Sequence, residues 1–124
     1  MSFAIVALAT SVAGLLLGLG WLFAGRVMLR RWGITPTPQL LLVGRRLGAV
    51  YLSIAVMMFL GRSAPESALR TATASGLLLA MILLAALGLI EYRARRANAS
   101  ILASVVLEIA LGAGYALVLL GQLP

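Results

Sequence analysis

The sequence predicts an all-α integral membrane protein, built as a bundle of four transmembrane helices. Hydrophobic residues make up 63% of the 124 residues and charged residues only 10%, and the mean hydropathy is +1.11. A soluble domain needs much more polar surface than this to cover its core. Four apolar segments are also long enough to cross the bilayer, which takes roughly 20 residues per helix. Residues 1–124 are therefore predicted to form a single transmembrane domain.

The first two predicted spans are separated by a stretch that does not favour helix. They cover about residues 3–24 and about residues 38–61. The run GITPTPQ (33–39) lies between them and extends into the start of the second span. Thr37 followed by Pro38 is typical of a helix N-cap with proline at the first helical position. The first span has no basic leader and is longer than the apolar core of a signal peptide, so we expect it to be retained.

The last two spans are predicted at residues of about 69–90 and about 99–121. Ser63 and Glu66 have the spacing of a capping box, which would start the third helix directly after the second one ends. Asn98 and Ser100 are candidate N-caps for the fourth helix. Each break between spans thus carries residues that stop or start a helix.

The distribution of arginine predicts the orientation of the bundle. All ten basic residues are arginines, and eight of them lie in or near the first and third connections between spans. Two lie near the second connection, and neither terminus carries any. By the positive-inside rule, the first and third connections are predicted to be cytoplasmic and both termini to lie on the other side. We interpret the net charge of +7 as charge that orients the chain in the membrane. The expected partner is therefore membrane lipid, and no binding to nucleic acid is expected.

Two adjacent arginines, Arg45 and Arg46, lie inside the second predicted span. They follow Pro38 by seven and eight residues, which places them roughly 10–12 Å from the start of the helix. A span that began after them would have only about 15 residues, too few to cross the bilayer. Two interpretations remain open: both side chains reach back to the headgroups, or at least one pairs with a carboxylate inside the bundle.

Glu108 is the candidate partner, because it lies at a similar depth about nine residues into the fourth span. A glutamate cannot reach far toward the headgroups, and a lone charge in hydrocarbon is costly. An ion pair between Glu108 and Arg45 or Arg46 is therefore predicted. Ser104 and Tyr115, at i−4 and i+7 from Glu108, lie on the same helix face and extend this predicted intramembrane polar cluster.

Other residues are predicted to lie where the spans meet the headgroups. Glu91 ends the third span, and Arg95 at i+4 is its predicted partner in an interfacial salt bridge. Trp21, Trp32 and Tyr92 lie near predicted span ends and are interpreted as an aromatic belt.

Gly14 and Gly18 have a small-xxx-small spacing in the first span. Such a spacing often marks the close approach of two helices in a membrane. We therefore predict a helix contact along this face.

The residue types present exclude several kinds of chemistry. The chain contains no cysteine and no histidine, which removes disulfides, thiol chemistry, histidine-ligated haem and the usual zinc sites. Among the remaining polar residues, neither a nucleophile nor an activating base stands out. We expect no catalytic residues, no metal site, no cofactor and no enzymatic activity.

The stretch RRLGAVYLSIAVMMFLGRSAPESALR (45–70), followed by LGLIEYRARRANASILASVVLEIAL (87–111), resembles a group of small four-span membrane proteins of bacteria. The shared elements are an Arg-x-Gly-Ala-x-Tyr-Leu opening of the second span and a glutamate in each of the last two spans. The resemblance covers about half of the chain. It implies a four-span architecture and a bacterial inner membrane, and it implies no activity, because none is established for the group.

Two functions are favoured by these features over a third, a lipid-modifying enzyme that would use Glu108, Tyr115 and an arginine. The first is an accessory or structural membrane protein that stabilises a larger complex, suggested by the small size and the lack of a catalytic set. The second is a homo-oligomeric transporter or channel for a small solute or ion, which uses the intramembrane charges. A homo-oligomer is expected in the second case, because four helices enclose little room by themselves.

Overall fold

A computed structural model describes residues 2–121 of the chain as an all-α protein. In chain order the helices of this range are α1 (Phe3–Phe23), α2 (Gly25–Arg31), α3 (Pro38–Leu60), α4 (Ala68–Arg93) and α5 (Ile101–Gly121). Four of them, α1, α3, α4 and α5, are long and apolar enough to cross a membrane. The predicted four-helix membrane bundle is therefore confirmed.

The N-cap of α3 is the predicted residue, whereas the N-cap of α4 is not. The Thr37 side chain accepts a hydrogen bond from the Leu40 N–H at 3.2 Å, with Pro38 at the first helical position. At α4 the N-cap is Ser67, which accepts from the Arg70 N–H at 3.2 Å. The capping box predicted from Ser63 was wrong, because the proline at position 65 disfavours helical backbone in the residue before it.

Between α1 and α3 the chain forms a short helix, α2, that the sequence did not predict. Ala24 breaks the helical backbone with φ −131° and ψ 34°, and the seven residues of α2 follow. The helix ends at Arg31, and Gly33, two residues later, has φ +78°. There the N–H of Ile34 donates to the Leu29 carbonyl and the N–H of Gly33 to the Arg30 carbonyl, both at 3.0 Å. This Schellman motif requires a left-handed residue, which glycine adopts without a steric penalty.

The four long helices are arranged as two pairs. α1 packs along α3 and α4 packs along α5, while α1 and α5 make the smaller contact between the pairs. Gly14 and Gly18 lie at a close helix contact, as predicted, and the neighbouring helix is α3: a Cβ on Gly18 would lie 3.0 Å from the Gly48 carbonyl oxygen. A Cβ on Gly48 would in turn lie 2.8 Å from the Gly18 carbonyl oxygen. The two backbones can approach this closely only because both positions lack a side chain.

A buried core closes one end of the bundle. Its residues come from all four long helices and include Phe3, Met58, Ala74 and Tyr115. The loop between α3 and α4 is fastened over this end by Arg70, whose Nη1 donates to the Ala64 carbonyl at 3.0 Å and whose guanidinium lies 4.4 Å from the Phe3 ring centroid. We call this the closed end. The other end, which carries α2 and the α4–α5 loop, is called the arginine-rich end.

The predicted salt bridge of Glu91 is made with a different arginine. Arg96 donates from Nε to Oε2 of Glu91 at 2.6 Å and from Nη2 to Oε1 at 3.1 Å. The pairing with Arg95 was wrong, because α4 ends at Arg93 and Arg95 takes a left-handed conformation with φ 60°. The turn at Arg95 directs Arg96 back toward the helix, and the hydrogen bond to Glu91 raises the pKa of the Arg96 guanidinium.

Replacing Arg95 with glycine is expected to raise the free energy of unfolding by about 1 kcal/mol. A left-handed conformation costs a residue with a Cβ about 1–2 kcal/mol, and glycine avoids most of this cost. Unfolding by SDS in mixed micelles, followed by circular dichroism, measures the change. Arg93→Gly is the control, because it removes the same charge from inside the last turn of α4 and should destabilise by up to about 1 kcal/mol. A loss of stability in Arg95→Gly would contradict the prediction.

Candidate functional site

A cavity of about 310 Å³ separates the two helix pairs on the side of the arginine-rich end. It runs from Thr10, in the middle of α1, to Trp32, directly after α2, and Glu91, in the last turn of α4. All four long helices contribute to its wall, which consists mainly of leucine, alanine and other apolar side chains. Leu47 on α3 and Leu87 on α4 line it and are 38% and 55% exposed, so neither of these side chains is sealed inside the bundle.

Glu108 of α5 lines this cavity, seven residues after the start of the helix at Ile101. That spacing places it about 10 Å from the helix end, inside the predicted hydrocarbon region. Its Oε2 atom is buried and has no hydrogen-bond partner among the described residues. Ser104, one turn earlier, lines the same cavity. The structure therefore brings together two members of the predicted polar cluster, Glu108 and Ser104.

Arg45 and Arg46 are not near this carboxylate, and the predicted ion pair with Glu108 is not formed within residues 2–121. Both arginines are exposed. On a helix they lie about 100–160° away from the side of α3 that carries the cavity-lining Leu47 and Tyr51. The geometry of α3 thus separates the arginines from Glu108, because the cavity side of the helix belongs to apolar residues and Tyr51.

The Arg45 side chain extends toward the start of α3. Its Nε donates to the carbonyl of Leu41, one turn earlier, at 3.3 Å. This is the direction required by the alternative interpretation, in which the side chain reaches the headgroups along its own helix.

Tyr115 belongs to the closed end and does not line the cavity. It is fully buried, and its hydroxyl forms a hydrogen bond with the hydroxyl of Thr10. The Thr10 hydroxyl also donates to the Val6 carbonyl at 2.9 Å. A buried tyrosine hydroxyl normally needs such a partner. The bond joins α1 to α5 and marks the inner limit of the cavity.

Two further polar residues line the cavity and were not among the predicted site residues. These are Tyr51 of α3 and Thr10 of α1. Each is a polar residue in the middle of an apolar span, a signal that could have placed both among the candidates. The sequence does not reveal which neighbour either one faces, because that depends on how the helices pair.

The two tryptophans of the chain also line the cavity. Their ring centroids lie 5.5 Å apart with an interplanar angle of 62°, an edge-to-face arrangement. Trp21 is only 5% exposed and packs on Gly44, where an added Cβ would lie 2.6 Å from its ring. The belt predicted for Trp21 was therefore wrong: the missing side chain at position 44 lets the ring lie between helices.

The charge of the cavity is opposite to that of the protein. The chain has ten arginines and three acidic residues. Of these, Glu91 and Glu108 line the cavity, and no arginine of the described residues does so. Glu91 is paired with Arg96 at the rim, whereas the buried oxygen of Glu108 has no partner within residues 2–121. Within that range, the interior of the cavity is a mostly apolar volume with one carboxylate that forms no ion pair.

Comparison with known proteins adds no assignment: no protein-family model, curated protein or solved structure matches this chain. The resemblance of residues 45–111 to small bacterial four-span proteins therefore stays a prediction.

Proposed function

We propose that this small integral membrane protein binds a small solute in the cavity between its helix pairs, and that it serves as a transporter for that solute. The observation that carries the proposal is Glu108, which lines the cavity and whose buried Oε2 has no hydrogen-bond partner among residues 2–121. A carboxylate at this depth must be compensated by a proton or by a bound ligand. Ionisable residues in such positions commonly lie on substrate or ion pathways.

The two-pair architecture suggests how access to the site would change. The pairs are held together at the closed end by the buried core and by the Thr10–Tyr115 hydrogen bond. At the arginine-rich end the cavity lies between them. Rocking one pair against the other about the closed end would widen or narrow the cavity while each pair remained intact, as in transporters whose halves move as rigid bodies.

For orientation, we propose that the arginine-rich end faces the cytoplasm of a bacterial cell and that both termini lie on the other side of the inner membrane. Eight of the ten arginines lie in or near the two connections at this end. The charge asymmetry supports this orientation through the positive-inside rule. In that orientation the site is loaded or emptied from the cytoplasmic leaflet.

A second candidate function, an accessory subunit of a larger membrane complex, is favoured by one observation. The outer face of α3 carries Arg46 and Ser53, which are exposed together with Val50 and Met57. Polar residues in transmembrane helices usually face protein rather than lipid. Another subunit on this face would cover them, and a second copy of the chain is the corresponding arrangement for a homo-oligomeric transporter.

Native mass spectrometry of the protein, extracted mildly from its own membrane, tests the proposal. We expect a homo-oligomer that carries a small molecule. In Glu108→Gln the small molecule should be lost while the oligomer persists, because an amide cannot provide the negative charge. The control is Glu66→Gln, which makes the same change outside the cavity and should retain the molecule.

Two results would count against a transporter. A foreign protein present in stoichiometric amounts would support the accessory function. A bound molecule that is retained in Glu108→Gln would show that this carboxylate does not hold the ligand.

A further inference from the structure

We infer that the ligand of this cavity is an organic cation with an apolar body, such as a lipophilic amine, and that its charged group binds Glu108. The inference depends on the proposed function and specifies its ligand class. Three features of the site lead to it: the sign of its charge, the small number of its polar groups, and the aromatic residues in its wall.

The charge of the site selects against anions. Two of the three acidic residues of the chain line the cavity, and none of the ten arginines in residues 2–121 does. A phosphate or carboxylate group entering the cavity would meet the Glu108 carboxylate with no cation to compensate either charge. An ammonium group supplies both the opposite charge and the hydrogen-bond donors that an ionised carboxylate accepts.

The polar groups are too few for a metal ion. Ca²⁺ takes about 6–8 oxygen ligands and Mg²⁺ about six in octahedral geometry. The described part of the chain contains no group of three or more acidic, histidine or cysteine residues that could hold a metal. In the cavity interior the side-chain oxygens are those of Glu108, Ser104, Tyr51 and Thr10. The Thr10 hydroxyl is already bonded to Tyr115 and Val6.

The wall of the cavity matches the remainder of such a ligand. Its volume of about 310 Å³ is at the small end of the range for ligand pockets, roughly 300–1,000 Å³. Leucines and the rings of Trp21 and Trp32 would contact an apolar body of this size. Tryptophan is also the aromatic residue that attracts cations most strongly. A cation that reached the cavity past the exposed side chains of Leu47 or Leu87 would come from the lipid, and only a lipophilic ion enters lipid readily.

Three probes with one apolar body test the charge preference: aminoadamantane, adamantanol and adamantane carboxylate. They are titrated into the full-length protein in nanodiscs of phosphatidylcholine, whose headgroup has no net charge. Tryptophan fluorescence reports binding, because both tryptophans of the chain line the cavity. We expect the amine to bind about tenfold more tightly than the alcohol, as for a charge-assisted hydrogen bond, and the carboxylate to bind most weakly.

The variants assign the preference to one side chain. Glu108→Gln should bind the amine and the alcohol equally, while Glu108→Asp, which keeps the charge, and Glu66→Gln, which lies outside the cavity, should retain the preference. Equal binding of amine and alcohol to the wild type would overturn the cation inference and leave the solute-binding function intact. So would tightest binding of the carboxylate. If none of the probes changed the fluorescence, the proposed function would be contradicted together with the inference.

Discussion

Substituting valine for Gly48 is expected to destabilise the protein by about 3 kcal/mol. A Cβ at this position would lie 2.8 Å from the Gly18 carbonyl oxygen and 3.1 Å from the Leu22 amide nitrogen. Both atoms belong to the α1 backbone, so no side-chain rotation can relieve the clash. The α1–α3 pair must separate, and it loses packing along its length.

Gly76→Val is the matched control for this prediction. Gly76 lies on α4, where an added Cβ would have no atom within 4 Å. The same substitution should therefore change the free energy of unfolding by no more than about 0.5 kcal/mol, as for surface positions generally. Unfolding by SDS in mixed micelles, followed by circular dichroism, compares the two variants. Equal stabilities would mean that α1 and α3 are not in contact at Gly48.

Replacing Glu108 with leucine is expected to have an effect of opposite sign and to stabilise the protein by about 1–3 kcal/mol. A buried acceptor without a hydrogen-bond partner carries the full cost of its desolvation, about 1–3 kcal/mol and more when it is charged. Leucine has a similar size and suits the apolar wall around it. The same variant should lose any ligand held by the carboxylate. Such an exchange of stability for function is common at binding sites.

The stability of Glu108→Leu also distinguishes the two candidate functions. Under the accessory interpretation, Glu108 would be paired with an arginine of a neighbouring subunit, and its removal would lower stability by leaving that charge alone. Thermal unfolding in nanodiscs measures the sign of the change. Glu66→Leu is the control, because Glu66 is exposed and its replacement should have little effect. A destabilised Glu108→Leu with an unaffected Glu66→Leu would favour a paired, structural role.

Features that depend on neighbouring positions in the chain were predicted well. The hydropathy of the four spans is a local property, and α1, α3 and α5 match their predicted limits within about two residues, the usual uncertainty of helix ends. The Thr37 cap was predicted because it requires only a hydroxyl three residues before a free N–H. The glycines of α1 were correctly assigned to a close helix contact.

Predictions that required knowledge of a partner were less successful. Pairing Glu108 with Arg45 or Arg46 followed from depth alone, and depth does not determine the direction in which a side chain points around its helix. Arg95 was one residue away from the true partner of Glu91, because the left-handed turn after α4 changes the helical spacing. Trp21 was assigned to the membrane interface because the sequence does not show that Gly44 leaves room for its ring.

The sequence by itself determined that this chain is a four-span, all-α membrane protein and that Glu108 is an unusual residue within it. Hydrophobic length, local capping and the cost of charge in hydrocarbon act on each segment separately, so no tertiary information is needed. Only the tertiary structure decided that the helices form two pairs, that a cavity lies between them, and that Glu108 faces it without an arginine. Those features depend on the rotation of each helix about its axis, which is decided by packing at positions such as Gly18 and Gly48.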